Sequence, residues 1–126
     1  MMGQVKALRI AVGPAEAAKT LRISIKALRH YEKRGLLRPK RTQAGWRLYE
    51  PEELDRLSRI LALKGMGFVL SQIAGLLDAP PEARAAALAA QELKLKGDAK
   101  TINEALDAVR DARRRLAPAV TLALAA

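Results

Sequence analysis

The chain has 126 residues, a formal net charge of +10 and a pI near 10.5. It is therefore one small basic domain, or one domain with an appendage, and nucleic acid is its leading class of partner. It contains no cysteine, which excludes disulfides, thiolate zinc sites and thiol redox sensing. No apolar run approaches the ~20 residues that span a bilayer, and MMGQVKALRIAVG lacks a signal-peptide core, so a cytoplasmic protein with no membrane partner is expected. Aromatics are only 3% of residues while Ala and Leu dominate, which favours helices over sheets. With a single His and no carboxylate pair in an apolar pocket pattern, an enzyme is not expected.

In chain order, Ala7–Val12 is a short apolar run that could form one strand, ended by Gly13-Pro14. Pro14 suits the first turn of a short helix with Ala15, Ala17, Ala18 and Leu21 on one face. Leu21-Arg22-Ile23 is a tight connection, and Ser24 can cap the helix after it. There Ala27, Leu28 and Tyr31 can face inward while Lys26, Arg29, His30 and Lys33 lie toward the other side, and Gly35 ends the helix. Two short helices so joined read as helix-turn-helix. Lys40–Gly45 is polar and flexible, and Trp46-Arg47-Leu48-Tyr49 alternates like a strand, so a small hairpin wing follows. Lys19 to Arg47 holds ten basic residues against one acid, Glu32, a net +9, and the chain's only Trp and both Tyr lie within Ser24 to Tyr49. Aromatics among basic residues suit a surface that docks on phosphates. Tyr49 reads as core; Trp46 fits either hairpin packing or DNA contact.

Pro51-Glu52-Glu53 opens a third helix with Leu54, Leu57, Ile60 and Leu61 inward, and Lys64-Gly65-Met66-Gly67 stops it. Ser71 would cap a short helix from Gln72 to Leu77, and Asp78–Pro81 is the best boundary in the chain. Leu88, Leu95, Ile102, Val109 and Leu116 then recur every seven residues, a coiled-coil signature widened by Ala99 and Leu106. The companion positions Gln91, Asp98, Ala105 and Ala112 are polar or small. A helix of about 35 residues would span ~50 Å, so a partner helix is its natural complement. The expected organisation is a domain at 1–80, a coiled-coil helix at 81–117 and a tail at 118–126.

Ser24, Leu28-Arg29-His30-Tyr31-Glu32, Gly35-Leu36-Leu37, Pro39, Arg41, Gly45-Trp46-Arg47-Leu48-Tyr49, Leu54 and Gly67-Phe68 together resemble the MerR family of bacterial transcription regulators. The helical part after Ala90 looks most like the multidrug- and thiostrepton-responsive branch. The chain departs from the family pattern at Arg22, where the turn usually has Gly, at His30, usually aromatic, and at Glu50, usually a capping Ser, Thr or Asp. The resemblance implies a mainly α fold: a winged helix-turn-helix domain followed by a long antiparallel coiled-coil dimerisation helix. It implies a homodimer on a pseudo-palindromic promoter, distorting the spacer for RNA polymerase. Lys26, Arg29, His30 and Tyr31 would enter or flank the major groove, and Arg41, Thr42, Trp46, Arg47 and Lys64 would hold the backbone. Leu88, Leu95, Ile102, Leu106, Val109 and Leu116 would form the dimer. No metal or cofactor is expected, and an effector is not specified; the chain is either a short member or the DNA-binding part of a longer protein. The competing readings are an excisionase-like architectural winged helix, which lacks the long helix, and a basic RNA-associated protein.

Overall fold

A computed structural model describes residues 10–125. The chain divides into two units, Met1–Pro80 and Pro81–Ala126. The first carries helices α1 (Pro14–Leu21) and α2 (Ile25–Lys33), strands β1 (Lys40–Arg41) and β2 (Arg47–Leu48), then α3 (Pro51–Gly65) and α4 (Leu70–Leu77). The second is one helix, α5 (Pro81–Ala125). The fold is mainly helical, a helix-turn-helix with a two-stranded wing and a long C-terminal helix, as expected. The run Ala7–Val12 lies half outside the described residues; its end, Val12, bridges Tyr49 through paired backbone bonds of 2.9 and 2.7 Å.

The apolar spacing fixes which faces turn inward. Ala17 and Ala18 of α1, Leu28 and Tyr31 of α2, Leu54, Leu57 and Ile60 of α3, and Ile73 and Leu77 of α4 form one core with Leu36, Leu37, Tyr49 and Phe68. Two arginines of α3 fasten its surroundings: Arg56 Nε donates to the Leu36 carbonyl at 2.7 Å, and Arg59 Nη2 to the Leu77 carbonyl at 2.6 Å. Tyr49 is fully buried, and among the described residues its hydroxyl has no hydrogen-bond partner. Burial, then the nearby Glu32 carboxylate, raises its pKa.

Three helices end by the same device. After α2 the N–H groups of Gly35 and Leu36 bond back to Glu32 and Tyr31, and after α3 those of Gly67 and Phe68 bond back to Lys64 and Leu63. After α1 the pair is Arg22 to Lys19 and Ile23 to Ala18. Each closure needs one left-handed residue, which glycine supplies without steric cost. Gly35 and Gly67 have φ of 78° and 93°, but Arg22 must adopt φ 58° and ψ 45°. The turn forms without glycine because these two bonds and the buried ends of α1 and α2 hold it. Arg22→Gly is therefore expected to stabilise the protein by about 1 kcal/mol, read as a higher urea midpoint.

One helix start differs from expectation. The N-cap of α4 is Val69, not Ser71, because the Gln72 side-chain oxygen accepts the Val69 N–H at 3.0 Å and starts the helix earlier. At α3 Glu50 makes no capping bond; its carboxylate accepts Lys40 Nζ at 2.9 Å instead. That hydrogen bond raises the Lys40 pKa. In the second unit the residues read as a tail are helical, since α5 runs through Pro118 to Ala125. One proline forfeits a single backbone bond, and the Ala- and Leu-rich flanks have high helix propensity.

Candidate nucleic-acid interface

Helix α2 builds the basic face. Ser24 Oγ accepts the Ala27 N–H at 3.0 Å, and this cap starts the helix just ahead of its charged residues. Leu28 and Tyr31 are buried, which turns Lys26, Arg29, His30 and Lys33 outward; spaced three or four apart, they form one stripe. Tyr31 is only 4% exposed, so its ring supports this face from beneath and does not stand on it.

The wing is a tight hairpin. Arg41 pairs with Arg47 and Lys40 with Leu48. The turn closes with Gly45 N–H to the Thr42 carbonyl and Thr42 N–H to the Trp46 carbonyl, both 2.9 Å, while Thr42 Oγ1 accepts the Trp46 N–H at 3.1 Å. Gly45 has φ 87°, the left-handed conformation this turn requires. Arg41 Nη1 donates to the Gly45 carbonyl at 2.9 Å, which braces its side chain along the hairpin. Trp46 is 73% exposed and Tyr49 0%, so the two aromatics flanking Arg47 and Leu48 have opposite fates. Tyr49 fills the core and Trp46 stands at the surface.

Glu32, the one acid of the basic stretch, joins helix to wing. Its carboxylate accepts Arg47 Nε at 2.6 Å and lies 3.8 Å from Arg41 Nη2. Arg47 is thus turned inward onto α2, while Lys40, Arg41, Thr42 and Trp46 stay exposed on the wing. A lone acid among ten bases is itself a signal in the sequence that it has a partner to hold. Both Glu32 and Arg47 are less than a third exposed, so a charged bond between them contributes to stability. Glu32→Gln is expected to lower stability by about 1–2 kcal/mol, read by urea denaturation, and to free the wing from α2.

The remaining expected contacts fall as follows. Lys26, Arg29 and His30 share the α2 face, and Arg41, Thr42, Trp46 and Arg47 share the wing. Lys64 is exposed in the last turn of α3, and among the described residues no side-chain bond ties it to either. Leu88, Leu95, Ile102, Leu106, Val109 and Leu116 are all exposed along α5. Among the described residues no cluster of His, Asp or Glu could hold a metal, and no helix is long and apolar enough to cross a membrane.

This geometry has known counterparts. The family described as MerR HTH family regulatory protein matches residues 14–80, from the first residue of α1 to the break before α5. The HTH-type transcriptional activator mta of Bacillus subtilis is 37% identical over 95 residues, which cover 75% of this chain and 37% of the activator. The chain therefore spans little more than a third of that relative. The crystal structure of MtaN, the N-terminus of the Bacillus subtilis multidrug transporter activator, superposes with a TM-score of 0.73 at 35% identity, covering 79% of this chain and 95% of that one. HiNmlR, a MerR family regulator lacking the sensor domain and bound to promoter DNA, gives 0.63 at 27% identity, over 89% of this chain and 92% of that one.

Proposed function

The chain belongs to the MerR family of HTH regulatory proteins, and from that premise we propose that it is a sequence-specific regulator of transcription that binds promoter DNA as a homodimer. The observation that carries the reading is the exposed basic stripe of α2, backed by buried Leu28 and Tyr31, with the wing tied alongside it through Glu32. Lys26, Arg29 and His30 meet base edges in the major groove. Arg41, Thr42, Trp46 and Lys64 hold phosphates, and Arg47 both adds charge and fixes the wing's angle. Phosphate contacts set register while base contacts specify. HiNmlR, of matching extent and bound to promoter DNA, supports the reading.

The exposed apolar series of α5 pairs two chains and spaces their recognition helices about one DNA turn apart. Such spacing lets binding energy bend and untwist the promoter spacer, at a cost of order 1–6 kcal/mol, so that RNA polymerase engages both promoter elements. The test begins with selection of bound fragments from a random DNA pool, which reveals half-site symmetry and spacing together. On the selected operator Arg29→Ala is expected to cost ~1–3 kcal/mol and relax specificity at one position per half-site. Equal losses on operator and random DNA would count against base readout. An unbent operator, with residues 1–80 alone binding one half-site as tightly as the full chain, would favour the excisionase-like reading.

A further inference from the structure

The apolar series of α5 is interrupted by two charges, and they occupy mirror-image places. Four residues beyond each member of the Leu88 series stand Glu92, Ala99, Leu106, Arg113 and Val120, and the helix is continuous from Pro81 to Ala125. With heptad spacings alternating four and three, these two series form a single stripe. Read from its two ends toward Ile102, the stripe matches Leu88 with Leu116, Glu92 with Arg113, Leu95 with Val109 and Ala99 with Leu106. Its only charged members therefore face each other under reversal, and they have opposite signs.

Their neighbours leave these charges available. Arg114 and Arg115 both reach Asp111, at 3.4 and 2.8 Å, whereas among the described residues the Arg113 side chain has no ion pair or hydrogen bond. Glu92 has only an exposed partner one turn along its own helix, Lys96 at 3.0 Å. A parallel pair of such helices would bring Glu92 onto Glu92 and Arg113 onto Arg113. An antiparallel pair centred near Ile102 brings each Glu92 within about one turn, ~5.4 Å along the axis, of the other copy's Arg113. Long side chains close that distance.

We infer that Glu92 of one copy and Arg113 of a second copy form an ion pair, twice per dimer, that selects the antiparallel orientation and the register of the α5 seam. The inference rests on the proposal that α5 is the dimer interface. Charges at seam positions cost stability but exclude the alternatives that would leave them facing like charges. The register matters for function because it sets the spacing of the two recognition helices.

The test is charge reversal, followed by sedimentation equilibrium of the full chain. Glu92→Arg alone and Arg113→Glu alone should each raise the dimer Kd by about tenfold or more, since each places like charges together at two sites. Mixing the two variants in equal amounts should restore a dimer of near wild-type affinity, because every pair in the mixed dimer is then opposite in sign. The double swap within one chain should do the same. Both rescues also show that the reversed chains still fold. Single variants as tightly dimeric as wild type, or a mixture as weak as its components, would overturn the pairing. Ile102→Asp separates this from failure of the interface itself: if it leaves the dimer intact, α5 is not the interface; if it gives monomers while the reversals change nothing, only the ion pair is wrong.

Discussion

Aspartate at both Ile102 and Val109 is expected to convert the proposed dimer into monomers and to lower operator affinity on the order of a thousandfold, toward its non-specific value. The two residues lie one heptad apart in the middle of the α5 series, 65% and 56% exposed in the single chain. In a paired seam they would be removed from water, and the variant would bury four carboxylates, none with a cation built to receive it. An unpaired charge held in an apolar contact costs several kcal/mol, more than a two-helix interface can absorb. Sedimentation equilibrium gives the oligomeric state, and titration of a two-half-site operator gives the affinity. Leu93→Asp is the control, since Leu93 is equally apolar and exposed but lies off the stripe. It should leave the dimer intact. A double variant that stays dimeric rules α5 out as the interface.

Leu28→Ala should have the second largest effect, and it should act without touching DNA. Leu28 sits at the centre of α2 with no exposed surface, next in sequence to Arg29 on the outer face. Truncating a fully buried leucine costs 2–5 kcal/mol, about half the 5–15 kcal/mol stability of an ordinary domain. The recognition helix is only nine residues long and cannot persist on its own, so loss of its anchor disperses the basic stripe. Urea denaturation should show a much lower midpoint, with DNA binding lost in proportion to the unfolded fraction. Arg29→Ala should give the opposite pattern: stability within about 0.5 kcal/mol of wild type and a clear change in specificity. If Leu28→Ala unfolds at the wild-type midpoint, the placement of α2 against the core is wrong.

The two variants divide along the same line as the legible and illegible parts of the chain. What could be read directly were features whose causes lie within a few residues. Ser24 caps α2 because its hydroxyl reaches an N–H three residues on. Gly35 and Gly67 end their helices because glycine tolerates a left-handed turn. The spacing of Leu54, Leu57 and Ile60 turns one face of α3 inward, and all three are buried. The basic stretch and the heptad series are likewise local patterns, and the second runs along one helix, longer than expected.

Only the tertiary structure decided the rest. Tyr49 reads as core from the chain alone, but Trp46 fits either place, and only the fold leaves Trp46 exposed while Tyr49 is buried with its backbone bridged to Val12. Glu32 and Arg47 are fifteen residues apart, and their pairing, which ties the wing to α2, appears only in the fold. Helical spacing places Tyr31 inward and the family motif places it at or beside the groove, and in the fold the core encloses its ring. Arg22 takes a glycine's conformation because α1 and α2 are held by their buried faces. Periodicity, caps and turn residues act through bonds a few residues long and so are written in order along the chain. Which surface side chain finds which distant partner depends on how the core brings elements together, a sum of many small contacts that no single stretch of sequence contains.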